Sequence, residues 1–584
     1  MQPVDRNTVE STYDATVRAD IEAFRDASQQ YTAGQLTADQ FRPHRLRRGI
    51  YTQRQADVHM IRTKVPGGIA TARQFHIMAD LADKFAGSKG HLTTRQNMQF
   101  HFVPLHDVPD ALHLLADTRL TTREACYNTI RNITACPYAG LVNNEPFDVR
   151  PYAQKAAFAF LHKEIADNLP RKFKIGFAGT DADTIATSIN DLGFRAVVRD
   201  GQRGFRTTVA GGLGPLPNEA KILDEFLPDD RVVNRIESVV RVFAKYGNRN
   251  NKNKARLKFV MRERGYEWLR DAIDVEYREI LSNGGVATPE IVPEGFGGFE
   301  LETRIPVTLP PVIDHRVAEV GFDAWFETSV QEQKQTGYGI VAVRVDQGNM
   351  TAAQMRGVAD AAKEFGDGLL RLTMSQNLLI AFVPLANLKR LHAKLKAIGL
   401  GESGADTIDD VMTCPGAYSC NLALTKSMNL GDALAVQLVK ETDAEVRKLA
   451  VHVSGCPNSC GQHWTGDFGF YGNARKIGGK EVPYYAMLLG GGMDATGIMR
   501  FGLQIQSLPA KLVPVAVDRV LRHFEANREG GESFRSYVMR FKVETFKKMT
   551  ADLAKPAELW PEIYQDWGDD MQYSLQLGRG ECAA

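Results

Sequence analysis

Four cysteines that lie in two closely spaced pairs are the residues of this sequence best suited to binding a metal. Cys414 and Cys420 lie in TCPGAYSC and Cys456 and Cys460 in SGCPNSCGQH, so a C-x5-C pair and a C-x3-C pair are separated by 35 residues. Each pair lies among Gly, Pro, Ser and Asn, which favour loops that can turn several thiolates toward one point. Such a set can hold a tetrahedral zinc ion or a [4Fe-4S] cluster, and the spacing alone does not choose between them.

The composition indicates a large protein whose charged sites are local. A chain of 584 residues is too long for one ordinary core, and we expect about three or four domains. Lys and Arg number 71 and Asp and Glu number 70, so no overall basic field suggests a nucleic-acid partner. The first residues do not resemble a secretory signal, and no run of about 18 apolar residues predicts a membrane span. The cysteine usage is therefore typical of reduced thiols in a cytoplasmic protein.

A long internal repeat organises the chain. Its first copy reads as strand, turn, helix, strand and helix, with strands at Val58–Val65 and Met98–Val103 and helices at Thr71–Phe85 and Val108–Ala116. The same pattern recurs 280 positions later, where Gln96-Asn97 matches Gln376-Asn377 without a gap. Weaker matches continue downstream, where RKFKIGFAG at 171–179 faces RKLAVHVSG at 447–455. We therefore predict an α+β fold of two duplicated modules related by a pseudo-twofold axis. Between the copies, residues 216–290 are predicted to be helical.

The two copies differ where chemistry could occur. The second copy has the four cysteines, whereas the first has Cys136 alone at the matching loop. The first copy instead has four cations where the second has mostly uncharged residues: Arg62, Arg95, Lys172 and Lys174 against Ala342, Ser375, Lys448 and Ala450. Soft ligands facing fixed positive charges would suit a redox centre that reduces an anion. The alternative is that these cations are ordinary surface charges.

Several motifs together closely resemble one family of enzymes. They are GCPNSCGQ, TCPGAYSC, HMIRTKVPGG, HLTTRQNMQFHF, IRNITACP and LPRKFK. This set resembles the sirohaem/[4Fe-4S] sulfite and nitrite reductases, closest to the assimilatory sulfite reductase branch, over about residues 45–500. The resemblance implies a central sirohaem and a [4Fe-4S] cluster held by the four cysteines, with Cys460 also the proximal thiolate of the sirohaem iron.

The resemblance also implies roles for individual residues. Positions lining the substrate side of the haem are matched by Arg62, Arg131, Lys172 and Lys174. Positions that meet the macrocycle or its carboxylates are matched by Arg95, Gln99, Arg256 and Asn458, with His91 standing where some relatives have an arginine. Tyr51 and Cys126 match two positions that some members join by a thioether, and the alternative for Cys126 is a simple packed thiol.

Combined with the repeat, the resemblance predicts seven segments. They are an N-terminal wrapping arm (1–44), a first ferredoxin-like half (45–120) that packs with a second one (320–402), a first sirohaem-binding domain (121–290), a linker (291–319), a second sirohaem and cluster domain (403–510) and a helical C-terminal tail (511–584).

The spacing of two lysines favours one substrate. Lys172 and Lys174 resemble the sulfite-reducing branch, whereas nitrite-reducing relatives commonly have asparagine at the second position. We expect the six-electron reduction of sulfite to sulfide, with nitrite to ammonia as the alternative. No flavin or nicotinamide fingerprint is present, so we expect electrons from a separate ferredoxin or flavoprotein subunit. Two other classes stay open, a non-enzymatic zinc scaffold and an iron-sulfur carrier without haem.

Overall fold

The computed structural model describes residues 5–297, 321–494, 498–557, 559–576 and 578, so most of the predicted linker, 298–319, and Cys582 lie outside the described residues. The helices are α1 Arg6–Thr32, α2 Ala38–Arg47, α3 Ala72–Phe85, α4 Val108–Ala116, α5 Arg150–Phe160, α6 Glu164–Asp167, α7 Val232–Tyr246, α8 Leu257–Arg264, α9 Tyr266–Ser282, α10 Phe322–Ser329, α11 Ala352–Phe365, α12 Leu388–Ala397, α13 Ser427–Leu438, α14 Ala444–Arg447, α15 Val513–Asn527, α16 Phe534–Met549 and α17 Ala551–Ala554. The strands are β1 Ile50–Thr52, β2 Val58–Arg62, β3 Ile69–Thr71, β4 Lys89–Leu92, β5 Met98–Pro104, β6 Thr134–Ala135, β7 Ile175–Ala178, β8 Leu192–Arg199, β9 Gln202–Val209, β10 Lys221–Pro228, β11 Val330–Glu332, β12 Tyr338–Val343, β13 Asn349–Thr351, β14 Leu369–Leu372, β15 Leu378–Pro384, β16 Met412–Thr413, β17 Val451–Ser454, β18 Phe468–Ile477, β19 Lys480–Leu489, β20 Gly492–Met493, β21 Met499–Arg500 and β22 Leu503–Pro509.

Two five-stranded sheets exchange a strand between the copies. Their strand orders are β1-β2-β5-β4-β13 and β11-β12-β15-β14-β3. Strand β13 of the second copy pairs antiparallel with β4 of the first, and β3 of the first copy pairs with β14 of the second. Helices α3 and α11 pack against each other, and each begins with a capping box, Thr71 with Gln74 and Thr351 with Gln354. This reciprocal exchange confirms the predicted duplication and its pseudo-twofold relation.

Two further sheets repeat one mixed topology. Strands β6, β7 and β8 run parallel and β8, β9 and β10 antiparallel. In the second copy, β16, β17 and β18 run parallel and β18, β19 and β22 antiparallel. Each cysteine pair follows a parallel strand of the second sheet, β16 for Cys414 and β17 for Cys456. The α+β class is thereby confirmed, and the equivalent sheets present equivalent loop ends toward the junction of the copies.

The expectation that residues 216–290 are entirely helical was wrong for one stretch. Lys221–Pro228 forms β10, the edge strand that pairs with β9, and α7 begins only at Val232. Leu223 and Leu227 of this strand are buried while charged residues lie between them. Pairing with an available sheet edge has overridden a local pattern that also suits a helix.

Both ends of the chain pack onto the duplicated body. Helix α1 buries Tyr13, Val17, Ile21 and Phe24, a spacing of three and four residues that makes one apolar stripe, and α1 packs against α4. Near the other end, Tyr573 donates to Leu424 O at 2.7 Å and Lys426 N–H donates to Asp566 at 2.8 Å. These bonds hold the segment after α17 across the loop between Cys420 and α13. No helix in the described ranges combines the length and apolarity needed to cross a bilayer.

Candidate active site between the two copies

A cavity at the junction of the copies has cysteines on one wall and cations on the other. From the first copy it is lined by Arg62, His91, Thr93, Thr94, Arg95, Asn97, Gln99, Ala125, Arg131, Asn132, Lys172 and Lys174, and from the second by Gln376, Thr413, Cys414, Pro415 and Cys460. The structure therefore places all of the predicted substrate-side cations around one space with two of the cysteines. Arg256 and Asn458 lie outside this set of lining residues, and Asn458 is exposed in the loop between Cys456 and Cys460.

The cysteine loops approach each other closely behind this wall. Cys414 is 9% exposed and Cys456 7%, whereas Cys460 opens onto the cavity. The N–H of Gly455, next to Cys456, donates to Cys414 Sγ at 3.3 Å and so ties the two loops together. Thr94 of the first copy donates to the carbonyl of Cys460 at 2.8 Å. The second loop is thereby held to the cationic half of the molecule.

The thiols are in an environment that disfavours their charged form. Burial, followed by the charge of neighbouring thiols, raises the pKa of Cys414 and raises that of Cys420 to about 12. The same causes hold the pKa of Cys456 well above its usual range. Thiolates at these positions need a positive centre close by, which bound iron would supply. The donor set therefore fits an iron-sulfur cluster, although within the described ranges no three His, Cys, Asp or Glu side chains are gathered around a point for one metal ion.

Glycine is required where the loops meet. A Cβ built on Gly461, the residue after Cys460, would lie 2.1 Å from Val453 O and 3.2 Å from the main-chain N of Cys414. A Cβ on Gly455 would lie 2.8 Å from Gly416 Cα and 2.8 Å from Thr425 O. These contacts are with the main chain, which cannot rotate away as a flexible side chain can. The Gly, Ser and Asn composition of the motif thus allows backbone to pack on backbone beside the thiols.

Replacing Gly461 by Ala is expected to displace the Cys460 loop. Because the added methyl group overlaps the strand that precedes Cys456, iron bound per chain should fall on the order of tenfold and the melting temperature should drop. Iron analysis and thermal unfolding measure both effects. Gly530→Ala is the matched control, because nothing lies within 4 Å of its Cβ position. Full iron occupancy in Gly461→Ala would show that the close approach is not needed.

Arg62 and Arg131 are held rigidly on the cavity wall. Arg62, at the end of β2, pairs across the sheet with Gln99, whose amide oxygen accepts from Arg62 Nε at 3.0 Å in the amide orientation that satisfies both of its polar atoms. Arg131 donates from Nη1 to Ala125 O at 2.6 Å and from Nη2 to the Tyr51 hydroxyl at 3.1 Å. Because these bonds fix both guanidinium groups before a ligand arrives, little order is lost on binding an anion.

Arg95 and Lys174 are half-buried cations of the same wall. Arg95 donates to Asn190 Oδ1 at 2.8 Å and to Asn132 O at 2.7 Å, and its Nε is buried with no hydrogen-bond partner among the described residues. Burial lowers the pKa of Arg95 to about 9. Burial, followed by the charges of Arg95 and Lys172, holds the pKa of Lys174 well below its usual range. Partly desolvated cations with spare donor capacity, such as Arg95 Nε, fit a ligand that brings several carboxylates, which is the chemistry of a sirohaem.

His91 serves the junction between the copies. Its Nδ1 lies 3.0 Å from Asn349 Oδ1 and its Nε2 lies 3.4 Å from Gln376 Nε2, both from the second copy. Burial lowers the pKa of His91 to about 4, so the ring is neutral near pH 7. A neutral imidazole with both nitrogens engaged does not reproduce the arginine that some relatives place there. A contact between His91 and a sirohaem carboxylate stays a prediction.

Sequence reasoning missed several lining residues. Thr93, Thr94, Asn132, Gln376 and Thr413 are polar residues without a chemical signature of their own. In the sequence, Gln376 stands out only as a match within the repeat. In the structure, its amide donates to Leu92 O at 2.8 Å and accepts from Thr413 N–H at 3.0 Å, so it connects the two copies. The exact repeat of Gln-Asn in both copies was the signal that could have identified it.

Tyr51 and Cys126 lie on either side of one guanidinium group. Arg62 Nη1 is 3.7 Å from Cys126 Sγ, and the guanidinium carbon of Arg62 is 5.6 Å from the centre of the Tyr51 ring. Cys126 is fully buried. The structure therefore places both residues next to the cavity, whether Cys126 is a packed thiol or forms a thioether.

We propose that the two are joined, because the aromatic ring and the buried thiol share one neighbour beside the redox site. Forming the carbon–sulfur bond removes one hydrogen from the ring and one from the thiol, with two electrons passing to an oxidant such as dioxygen. Mass spectrometry of a digest should find a joined peptide pair lighter by two hydrogen atoms than the sum of its parts. Separate peptides with an alkylated Cys126 would contradict the link.

The fold and the cavity define a class of protein, a duplicated α+β protein in which one copy brings cysteines and the other brings cations to a shared cavity. Family models agree. The nitrite and sulphite reductase 4Fe-4S domain matches residues 126–281 and 404–556, and the nitrite/sulfite reductase ferredoxin-like half domain matches 51–118 and 331–398. The chain belongs to the nitrite and sulfite reductase family, a family of oxidoreductases, and this membership implies a [4Fe-4S] cluster and a sirohaem.

Individual relatives fall into two groups. The ferredoxin–nitrite reductase of Synechococcus elongatus is 30% identical over 75% of this chain and 81% of its own. The sulfite reductase [ferredoxin] 1 of Mycolicibacterium paratuberculosis is 27% identical over 84% of this chain and 87% of its own. The solved structure of the NirA protein of Mycobacterium tuberculosis superposes with a TM-score of 0.72, at 26% identity, over 88% of this chain and 92% of the other.

Proposed function

We propose that the protein reduces sulfite to sulfide with six electrons taken from a separate donor protein. The observation that carries the proposal is the pair Lys172 and Lys174, which line the same cavity as Cys460 together with Arg62 and Arg131. Sulfite has up to two negative charges near neutral pH and nitrite one, so a second ammonium group favours sulfite.

The cationic wall binds and orients the anion. Arg62 and Arg131 present fixed donors to the substrate oxygens. Bound at the four cysteines and in the cavity, the cluster and the sirohaem would supply single electrons to the substrate atom. The arginines favour the anion and polarise its bonds to oxygen as those bonds weaken.

The lysines are the better proton donors of the wall. The pKa of Lys174 is held low by burial and by Arg95 and Lys172, so its proton is released more readily than that of an exposed lysine. Each oxygen that leaves the substrate as water requires protons, and Lys174 lies on the wall where those oxygens face. We assign Lys174 the role of proton donor, with Lys172 favouring the anion and lowering the pKa of its neighbour.

Nitrite reduction to ammonia is the second candidate, and it is favoured by the names of several relatives. Sequence identity near 30% to both groups does not separate the substrates. The donor in either case would be a ferredoxin, in keeping with the names of relatives in both groups, and a flavoprotein subunit is the alternative.

Steady-state kinetics with a reduced dye as electron donor test the proposal. We expect a higher kcat/KM for sulfite than for nitrite, with sulfide as the product. A higher kcat/KM for nitrite, with ammonia as the product, would overturn it. Replacing the dye with reduced ferredoxin then tests the donor.

A further inference from the structure

One buried carboxylate joins two cations of the site. Asp191, immediately before β8, is fully buried and accepts from Arg256 Nε at 3.0 Å and from Arg256 Nη2 at 2.8 Å. Its Oδ2 also accepts from the main-chain N–H of Lys174 at 2.8 Å. The next residue, Leu192, donates its N–H to the carbonyl of Lys174 at 3.1 Å. The main chain of Lys174 is therefore held on both sides by the start of β8.

The packing around this carboxylate is tight. A Cβ on Gly212 would lie 2.9 Å from Arg256 Nη2, and a Cβ on Gly211 would lie 2.5 Å from Asn190 O. The two glycines of TVAGGLG thus let the loop after β9 close over Arg256 and the Asn190-Asp191 turn. Neither Arg256 nor Asp191 lines the cavity, yet Asp191 is bonded directly to the main chain of a residue that does.

The second copy has the same main-chain arrangement without the arginine. Asp467, immediately before β18, accepts from the N–H of Ala450 at 2.9 Å, and the N–H of Phe468 donates to Ala450 O at 3.0 Å. Ala450 occupies the position that matches Lys174. Among the described residues no arginine or lysine side chain is hydrogen-bonded to Asp467. Burial raises the pKa of Asp467 to about 7.

Comparing the copies separates two functions of this aspartate. Holding the main chain is common to both copies and so belongs to the fold. Binding an arginine occurs only in the copy that has a cation, Lys174, at the held position. A bidentate ion pair has a fixed geometry, which makes Asp191 a suitable link between two cations that would otherwise repel each other.

We propose that Asp191 is a positioning residue, whose single carboxylate ties the main chain of Lys174 to the side chain of Arg256 and so fixes Lys174 on the substrate wall. The inference rests on the proposed reduction of an oxyanion at this cavity, and it can be tested with sulfite or with nitrite. Asp191 acts through Lys174 and Arg256 and has no contact with the substrate.

The test compares Asp191→Asn with Asp467→Asn in the holoenzyme. Asparagine keeps one oxygen for the main-chain N–H in both copies. In the first copy it removes the negative charge and places an NH2 group where Arg256 Nε now finds an acceptor. We expect kcat/KM to fall on the order of tenfold in Asp191→Asn and to stay within about twofold in Asp467→Asn. Visible absorbance per chain and iron content should match the parent in both variants.

A double substitution distinguishes positioning from general destabilisation. If Asp191 acts through Lys174, the variant Asp191→Asn with Lys174→Met should be no slower than Lys174→Met alone. Arg256→Gln removes the other partner of the ion pair and should lose activity as Asp191→Asn does. It replaces Asp191→Asn in the test if that variant fails to fold. The proposal is overturned if the losses multiply, if Asp191→Asn equals Asp467→Asn, or if it loses cofactor in step with activity.

Each variant is assayed with sulfite and with nitrite. A parent enzyme that prefers nitrite would refute the proposed substrate. The kcat/KM values of Asp191→Asn and Asp467→Asn could then still be compared with nitrite as the substrate. An Asp191→Asn variant with parental rates on the preferred substrate would refute the inference alone.

Discussion

Replacing Cys460 by Ser should abolish reduction of either substrate, to below about a thousandth of the parent rate. Cys460 is the cysteine that both belongs to the C-x3-C pair and faces the cationic wall across the cavity. A serine hydroxyl is a hard, weakly acidic donor that does not replace a thiolate on iron. Iron, acid-labile sulfide and visible absorbance per chain should fall together with activity.

The repeat provides a matched control for this experiment. Cys136 occupies the loop that corresponds to the one containing Cys414, is buried, and accepts from the Thr184 hydroxyl at 3.4 Å. Cys136→Ser should keep cofactor content and activity within about twofold of the parent, because the thiol has only structural contacts. A Cys460→Ser protein that retained its iron and its rate would contradict the assignment of the four cysteines.

The second large effect concerns the choice of substrate. Lys174→Asn should lower kcat/KM for sulfite about a hundredfold and for nitrite less than about tenfold. The substitution removes one positive charge and a proton donor from a buried wall, where charge interactions are stronger than in water. The doubly charged anion loses more than the singly charged one.

Lys448 is the control cation, since it matches Lys172 in the repeat, is 68% exposed in its side chain and pairs with Glu445. Lys448→Asn should leave both substrates unaffected. Equal losses on sulfite and nitrite in Lys174→Asn would refute the charge argument, and the proposed preference for sulfite would then have no structural support.

Much of the fold could be predicted because the chain contains two copies of one module, whose sequences can be compared with each other. Helix α4 has the predicted bounds, Val108–Ala116. Strands β2 and β5 begin at Val58 and Met98, as the sequence pattern predicts. The exchange of β3 and β13 was not predictable. Each is only a three-residue strand, and its pairing partner lies in the other copy. Sequence periodicity predicts whether a segment is a helix or a strand, but it does not predict which sheet edge a short strand joins.

The site was predictable where residue type signals chemistry. Lys172, Lys174, Arg62 and Arg131 converge because they follow or precede strands whose ends meet at the junction of the copies. Asp191 could not be identified, since its importance comes from a bond to the main chain of Lys174. Gln376 could be identified only through the repeated Gln-Asn pair, since its importance comes from a bond to the other copy. The contact of Arg256 with the macrocycle stays a prediction, and the structure adds that its Nε and Nη2 donate to Asp191.

The measurement that bears most directly on the whole account is extraction of purified protein with acidified acetone, after expression with added iron in a host that makes sirohaem. We expect a tetrapyrrole in the extract, roughly one per chain, and an intact protein with strong blue and red absorption bands. A colourless extract, from protein that nonetheless folds, would mean that no macrocycle occupies the cavity between Cys460 and the cationic wall.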